Sequence, residues 1–366
     1  MSGPTSLRRW GGVATCVSEV RGTMVVARGR SLDREDMMKR NSSLQFWIAE
    51  PGRGEILRRD LPPRQDHEVL VRALFSGISR GTEALVFGGH VPRSQYTDMR
   101  APFQEGSFPA PVKYGYSNVG RVLEGAGAAG SELVGQTVFC LYPHQDMYQV
   151  RASAVVPLAP DLPPERAVLA ANMETAVNAV WDGDPSAGDR IIVIGSGVVG
   201  LLISWLCGQI PGVEVTAVDL NPERAAQAAA LGISFSTEAP RDGRADLVFH
   251  ASGSPAGLRA ALEAAGAESV VVEVSWYGTE SVCLRLGEGF HSRRITIRSS
   301  QVGGLPPAKR SRWTPARRLE LALDLLSDPS LDVLISGESA FKDLPEVMAQ
   351  LSEGSNDALC HRIRYT

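Results

Sequence analysis

Residues 190–200, RIIVIGSGVVG, run from a continuous apolar strand straight into a Gly-x-Gly-x-x-Gly turn, and a further apolar stretch follows without a break. Glycine is common enough that the pattern alone says little. Between a strand of the buried parallel type and a helix, each glycine has a physical task. Gly195 permits the sharp turn, Gly197 lets backbone approach a pyrophosphate, and Gly200 lets helix and strand pack closely. The turn residue Ser196 and the helix start at Val198 and Val199 offer free N–H groups and the positive end of a helix dipole. Asp219 ends the next strand, 19 positions beyond Gly200, which suits an acid that hydrogen-bonds ribose hydroxyls. A carboxylate there accepts from a free 2′-hydroxyl and repels a 2′-phosphate, so NAD is favoured over NADP. Arg224 either softens that preference by accommodating the phosphate or is a solvated side chain at a helix start. At the end of a later strand, HASGS (250–254) places Ser252 and Gly253 where open α/β sheets bind ligands. Small residues there suit close approach of a nicotinamide ring, and a plain turn is the other reading.

Around this turn the chain alternates in type. VEVTAVD, ADLVFHAS, ESVVVEVSWYG and RRITIRSSQVG read as strands, with the Ala-rich NPERAAQAAALG among the helices between them. That alternation calls for a doubly wound parallel sheet of the Rossmann kind, an α/β fold. Upstream, 44–165 reads as short strands broken by Gly and Pro, with HEVLVRALFSGIS running into a loop. PPERAVLAANMETAVNAVWDG then reads as a helix. The expected domains are a β-rich unit over 44–165, a dinucleotide unit over 166–304, and a tail over 305–366 that returns to the first unit through the strand CHRIRYT. Residues 1–43 are Arg-rich without an apolar core, and read as a disordered arm or a start-site artefact, since Met37 and Met38 stand just before the first globular segment.

The totals exclude several classes. With 37 Lys and Arg against 41 Asp and Glu, the formal net charge is −4, and no basic stripe points to nucleic acid. No apolar run is long enough to span a bilayer. The five cysteines include no C-x-x-C pair, so neither a zinc knuckle nor a dithiol motif is available, and scattered thiols suit a cytoplasmic setting.

The order of these units, together with SGISRGTEALVFGGHVP (76–92) and KYGYSNVG (113–120), resembles the medium-chain dehydrogenase/reductase superfamily; those two motifs look most like the branch containing bacteriochlorophyllide a dehydrogenase. The resemblance implies a GroES-like first domain, a Rossmann second domain, and catalysis at the cleft between them. It also shows losses. The first zinc-ligand cysteine falls at Ser79 or Arg80, the histidine of a Gly-His-Glu motif at Tyr116, and that motif's glutamate at Ser117. Glu174 is the remaining match to a third ligand. One carboxylate cannot make the three-ligand set of a catalytic zinc, so zinc is not expected; a site rebuilt from Glu174, His144 and Tyr116 is the alternative.

Without a Lewis acid, hydrogen-bond donors or a fixed cation must stabilise the reacting oxygen. Thr82 matches the superfamily's proton-relaying hydroxyl, or caps a helix. Tyr116 is a candidate general acid, or an aromatic filling vacated space. His144 is a candidate proton shuttle, or a hydrogen-bonded structural residue. Arg80 is a candidate for the cofactor pyrophosphate, or pairs with Glu83. The expected function is zinc-free hydride transfer between NAD(P) and a small alcohol or carbonyl substrate, with enoyl or quinone reduction as a variant. A dinucleotide-binding sensor with little turnover is the competing class. A homo-oligomer is expected only by analogy with the superfamily.

Overall fold

The computed structural model describes residues 42–354 and 357–365. The expected arm lies mostly outside the described residues, but its last two positions do not belong to it. Strand β1 (Ser42–Glu50) already includes Ser43, which is fully buried and sits opposite Arg59.

The remaining strands are β2 (Arg53–Asp60), β3 (Glu68–Ile78), β4 (Glu105–Gly106), β5 (Val112–Lys113), β6 (Asn118–Gly125), β7 (Thr137–Cys140), β8 (Met147–Arg151), β9 (Val155–Pro157), β10 (Arg190–Ile194), β11 (Glu214–Val218), β12 (Ser234–Ser236), β13 (Ala245–His250), β14 (Ala265–Glu273), β15 (Thr296–Ser299), β16 (Ile335–Ala340) and β17 (Cys360–Arg364). The helices of seven residues or more are α1 (Arg80–Phe87), α2 (Ala170–Gly183), α3 (Val198–Gly208), α4 (Arg224–Ala230), α5 (Pro255–Ala264), α6 (Pro315–Leu325) and α7 (Leu344–Ser352).

The first domain holds two sheets. One has the order β2-β1-β5-β4 and the other β16-β17-β3-β6-β7-β9, with β8 also on β3. The long strand β3 is the hub, antiparallel to β6, β8 and β17. The tail strand returns to the first domain as expected, with His361 opposite Ile78 and Arg364 opposite Phe75. Helix α6, from the same tail, packs instead on α2, where Leu319, Ala322 and Leu323 share a core with Ala176 and Val177.

The second unit is a six-stranded parallel sheet in the order β12-β11-β10-β13-β14-β15. Counted from β10 this is the 3-2-1-4-5-6 order of a Rossmann fold. Because side chains alternate along a strand, Ile191 and Val193 of β10 enter one core while Ile192 and Ile194 enter another on the opposite face. That is why RIIVI is apolar throughout.

Two expected elements change at their ends. The helix expected over 163–183 is broken between Ala167 and Ala170, where Val168 and Leu169 are wholly buried and Ser117 Oγ donates to the Val168 carbonyl. The strand ESVVVEVSWYG stops at Glu273. Beyond it, Trp276 packs against the first-domain core while Tyr277 packs against the sheet's own core, so this loop lies between the domains. No helix among the described residues is long and apolar enough to cross a membrane.

Candidate active site in the interdomain cleft

The dinucleotide turn is built as its glycines require. Gly195 has φ +101°, and a Cβ there would lie 2.6 Å from the Ser252 nitrogen. A Cβ on Gly200 would lie 1.8 Å from the Gly195 oxygen. At Gly197, by contrast, nothing stands within 4 Å of a Cβ. The protein's own packing demands the outer two glycines, while the middle one faces open space. Ser196 is fully buried, yet its Oγ has no hydrogen-bond partner, an expensive state unless a ligand completes it. Val198 and Val199 open α3 and are only partly buried. Asp219 fixes the turn by accepting from Ser196 N at 2.7 Å and from Asn221 N at 2.9 Å. Leu220 beside it is 90% exposed, a bare apolar side chain at the cleft edge. These residues fit a nicotinamide dinucleotide.

The two arginines assigned to that cofactor share another partner. Asp357, just before β17, accepts from Arg80 Nη1 at 3.1 Å, Arg224 Nη2 at 2.5 Å and Asn221 Nδ2 at 2.5 Å. Arg224 is buried rather than solvated, and the alternative Arg80–Glu83 pair is not formed. A tail carboxylate thus joins a first-domain helix to the nucleotide domain where cofactor phosphate was expected. Nothing in the sequence marked Asp357, because its role depends on the return of the tail.

At the positions matching lost zinc ligands, hydroxyls have gathered. The Tyr116 phenol lies near the hydroxyls of Ser79 and Thr82, and its ring packs against both the first-domain and the interdomain cores. Burial, then the negative charge of Glu83, push its pKa up to about 12. The phenol therefore stays protonated at neutral pH and acts as a donor. Because the folded value lies above the unfolded one, folding stability falls as pH rises from about 10 towards 12. A rapid alkaline jump read at 295 nm is expected to show one phenol ionising near about 12 that disappears in Tyr116→Phe.

Of the two readings given for His144, the geometry matches the hydrogen-bonded structural residue. It is 1% exposed, with Nε2 2.8 Å from Glu83 Oε2 and Nδ1 2.8 Å from Ser76 Oγ, which in turn lies 3.0 Å from the Tyr365 hydroxyl. Glu83 also accepts from Ser79 N at 2.8 Å. Both ring nitrogens are spent inside the first domain, so His144 has no free nitrogen facing the cleft. It braces the Ser79–Glu83 turn that carries Thr82. Glu174 is likewise committed, receiving Arg318 Nε at 3.1 Å. The site rebuilt from Glu174, His144 and Tyr116 does not form. Among the described residues no group of three or more His, Cys, Asp or Glu is arranged to hold a metal ion. The donor set does not fit the zinc implied by the resemblance.

Ser252 stands beside the Gly195 turn, with Gly253 next to it in the chain. A second cluster there went unread in the sequence: His250, Glu273 and Tyr277 converge on Ser252. The histidine in HASGS was its only signal.

No family model matches the chain. It is 24% identical over 284 residues, 67% of this chain and 78% of the relative, to the (R,R)-butanediol dehydrogenase of Bacillus subtilis. Among solved structures, an alcohol dehydrogenase of Escherichia coli CFT073 complexed with NADH superposes with a TM-score of 0.69 at 17% identity, covering 89% of this chain and 99% of that one. A zinc-binding dehydrogenase of Sinorhizobium meliloti bound to NADP does so with a TM-score of 0.69 at 16% identity, covering 88% and 99%. These likenesses span both domains and agree with the glycine turn, the Rossmann strand order and the returning tail. The chain has the two-domain fold of these dehydrogenases.

Proposed function

We propose that this chain is an NAD(P)-dependent oxidoreductase that moves a hydride between nicotinamide and a small alcohol or carbonyl substrate, with protein hydroxyls at the place where relatives hold zinc. The observation that carries the cofactor half is the contrast between Gly197, facing open space, and Gly195 and Gly200, closed by protein atoms. The unpartnered Ser196 Oγ supports it. The bound nicotinamide would accept or donate the hydride; orientation and electrostatics fall to the protein.

The turn from Ser196 to Val199 would hold the pyrophosphate, Asp219 the adenosine ribose, and Leu220 an adenine face. On the first-domain side, Tyr116 would donate to a carbonyl or alcohol oxygen, with Thr82 and Ser79 ordering its hydroxyl. Donors aimed at a developing oxyanion can supply several kcal/mol where water is excluded. Alcohol chemistry is favoured over enoyl reduction by this cluster, which suits a reacting oxygen rather than a reacting carbon. The butanediol dehydrogenase relative makes small diols the first substrates to screen.

NAD is preferred over NADP in this reading, since the Asp219 carboxylate stands at the ribose and Asp357 already holds Arg224 and Arg80. Protein fluorescence titrations with NADH and NADPH test it. The wild-type chain is expected to bind NADH more tightly. Asp357→Asn should strengthen NADPH binding by about three- to tenfold more than NADH, because an exposed carboxylate no longer competes for the arginines. Binding of neither nucleotide would remove the proposal, and equal gains for both would remove the part given to Asp357.

A further inference from the structure

Beneath Ser252 lies a hydrogen-bonded row that the proposed chemistry has not yet used. Ser252 Oγ is 2.7 Å from His250 Nε2, and His250 Nδ1 is 2.9 and 2.8 Å from the two oxygens of Glu273. Glu273 also accepts from Ser275 N at 2.8 Å and from the Tyr277 hydroxyl at 2.9 Å. An ionised carboxylate only accepts, so Nδ1 carries the proton and Nε2 is left to accept from the serine hydroxyl. The imidazole is wholly buried while Ser252 is exposed, and that hydroxyl is the ring's outlet to the cleft. Gly257 of α5 keeps the contact open, since a Cβ there would lie 2.3 Å from Ser252 Oγ and 2.6 Å from His250 Nε2.

We propose that Ser252, His250 and Glu273 form a hydroxyl–imidazole–carboxylate relay that carries the proton of the redox step. The relay rests on the dehydrogenase reading above. In the oxidation direction the alcohol O–H bond breaks as its proton passes to Ser252 Oγ, and the serine's own proton passes to His250 Nε2. A bound oxidised nicotinamide would take the hydride from the alcohol carbon as the C=O bond forms. The imidazolium left behind is neutralised by Glu273, and the proton later returns to solvent by the same path. Ser252 is the residue that touches the substrate, His250 is the base acting through it, and Glu273 and Tyr277 are positioning residues.

The same three residue types in this order serve nucleophilic acyl transfer elsewhere, but that chemistry needs oxyanion donors. Here the Gly253 N–H is spent on Ser275 Oγ at 3.0 Å, and the Ser254 N–H folds back on Ser252 Oγ itself at 3.3 Å. Proton carriage needs no such donors. The groups facing the imidazole are Glu273 from β14, Tyr277 and Ser275 from the loop after it, Ser252, and Gly257 from α5. Glu273 is the charged one among them.

The experiment is rapid mixing of the full chain with NAD+ or NADP+ in weakly buffered pH-indicator solution, repeated between about pH 6 and 8, the range in which imidazole titrates. Protein fluorescence reports binding, and the indicator reports protons. In those molecules whose ring carries a second proton, a nicotinamide cation bound near the relay would raise the cost of that charge, so a proton should leave with the binding phase. His250→Gln is expected to bind with unchanged fluorescence and release no proton. Ser252→Ala should release the same proton about tenfold more slowly or worse, with Ser252→Thr restoring the rate. Gly257→Ala, which parts serine from imidazole without removing either, should behave as Ser252→Ala does. Proton release that survives in His250→Gln, or keeps its rate in Ser252→Ala, overturns the relay alone. Absence of any binding phase with either nucleotide overturns the dehydrogenase reading and the relay with it.

Discussion

Gly197→Ala is expected to leave thermal stability within about 0.5 kcal/mol of wild type and to weaken NADH binding by more than about tenfold. Gly200→Ala is expected to damage both. The two substitutions add the same methyl three residues apart, and the difference lies in what it meets. Gly197 has φ −73°, a value any residue adopts, and a Cβ there has no neighbour within 4 Å. Its cost would therefore appear only when a pyrophosphate tries to approach the backbone. At Gly200 the Cβ would sit 1.8 Å from a backbone oxygen of Gly195, which cannot rotate away as a side chain would. Helix α3 must then retreat from β10, carrying with it the turn held by Ser196 N and Asp219. Binding lost about 100-fold, with a lowered Tm, is the outcome for Gly200→Ala. Calorimetry and NADH fluorescence on the same samples check both. A Gly197→Ala chain that binds NADH as wild type does would mean that the open face of the turn is not where the dinucleotide lies.

The nucleotide half was legible because its constraints are local. A buried parallel strand is apolar on both faces, the turn needs glycine at fixed positions, and the acid follows at the end of the next strand; all lie in one stretch of chain. Even there the reading stopped at residues touching backbone. His250 and Glu273 come from neighbouring strands 23 positions apart, and parallel register, which pairs them, cannot be read from either strand alone. The first-domain site was legible by position and misjudged in detail. Tyr116 lies near Ser79 and Thr82, residues from two separate motifs. His144 was left between a shuttle and a hydrogen-bonded structural residue because the sequence does not show that Glu83 and Ser76 close on it from a helix and a strand. Arg224 and Arg80 were each left between a cofactor phosphate and another reading, and the carboxylate between them arrives from the far end of the chain. In each case the missing information was a long-range contact between polar groups. Hydrophobic periodicity carries no record of those.

Arg318→Leu should destabilise the chain by about 3–5 kcal/mol, lowering Tm by roughly 5 °C. Arg318 of α6 is 2% exposed and reaches three groups: Glu174 Oε1 at 3.1 Å, the Asn178 side-chain oxygen, and the Val302 carbonyl at 2.5 Å. Glu174 is 5% exposed, and burial already pushes its pKa above the ordinary glutamate range despite the opposing pull of Arg318. With the guanidinium gone, nothing offsets that burial, and the carboxyl must fold as the neutral acid. An acid whose folded pKa exceeds its unfolded one contributes stability that is lost as pH rises through the folded value. The variant's deficit should therefore be small near about pH 4 and deepen towards neutrality. Arg318→Leu combined with Glu174→Leu should recover most of the loss, since an apolar pair of similar volume often matches a buried ion pair. The same measurement decides what Glu174 is for. If it braces α2 against α6, the double variant is folded and a chelator leaves the wild-type Tm where it was. Were Glu174 instead a metal ligand, chelator would lower the wild-type Tm and leave the Glu174 variants unmoved.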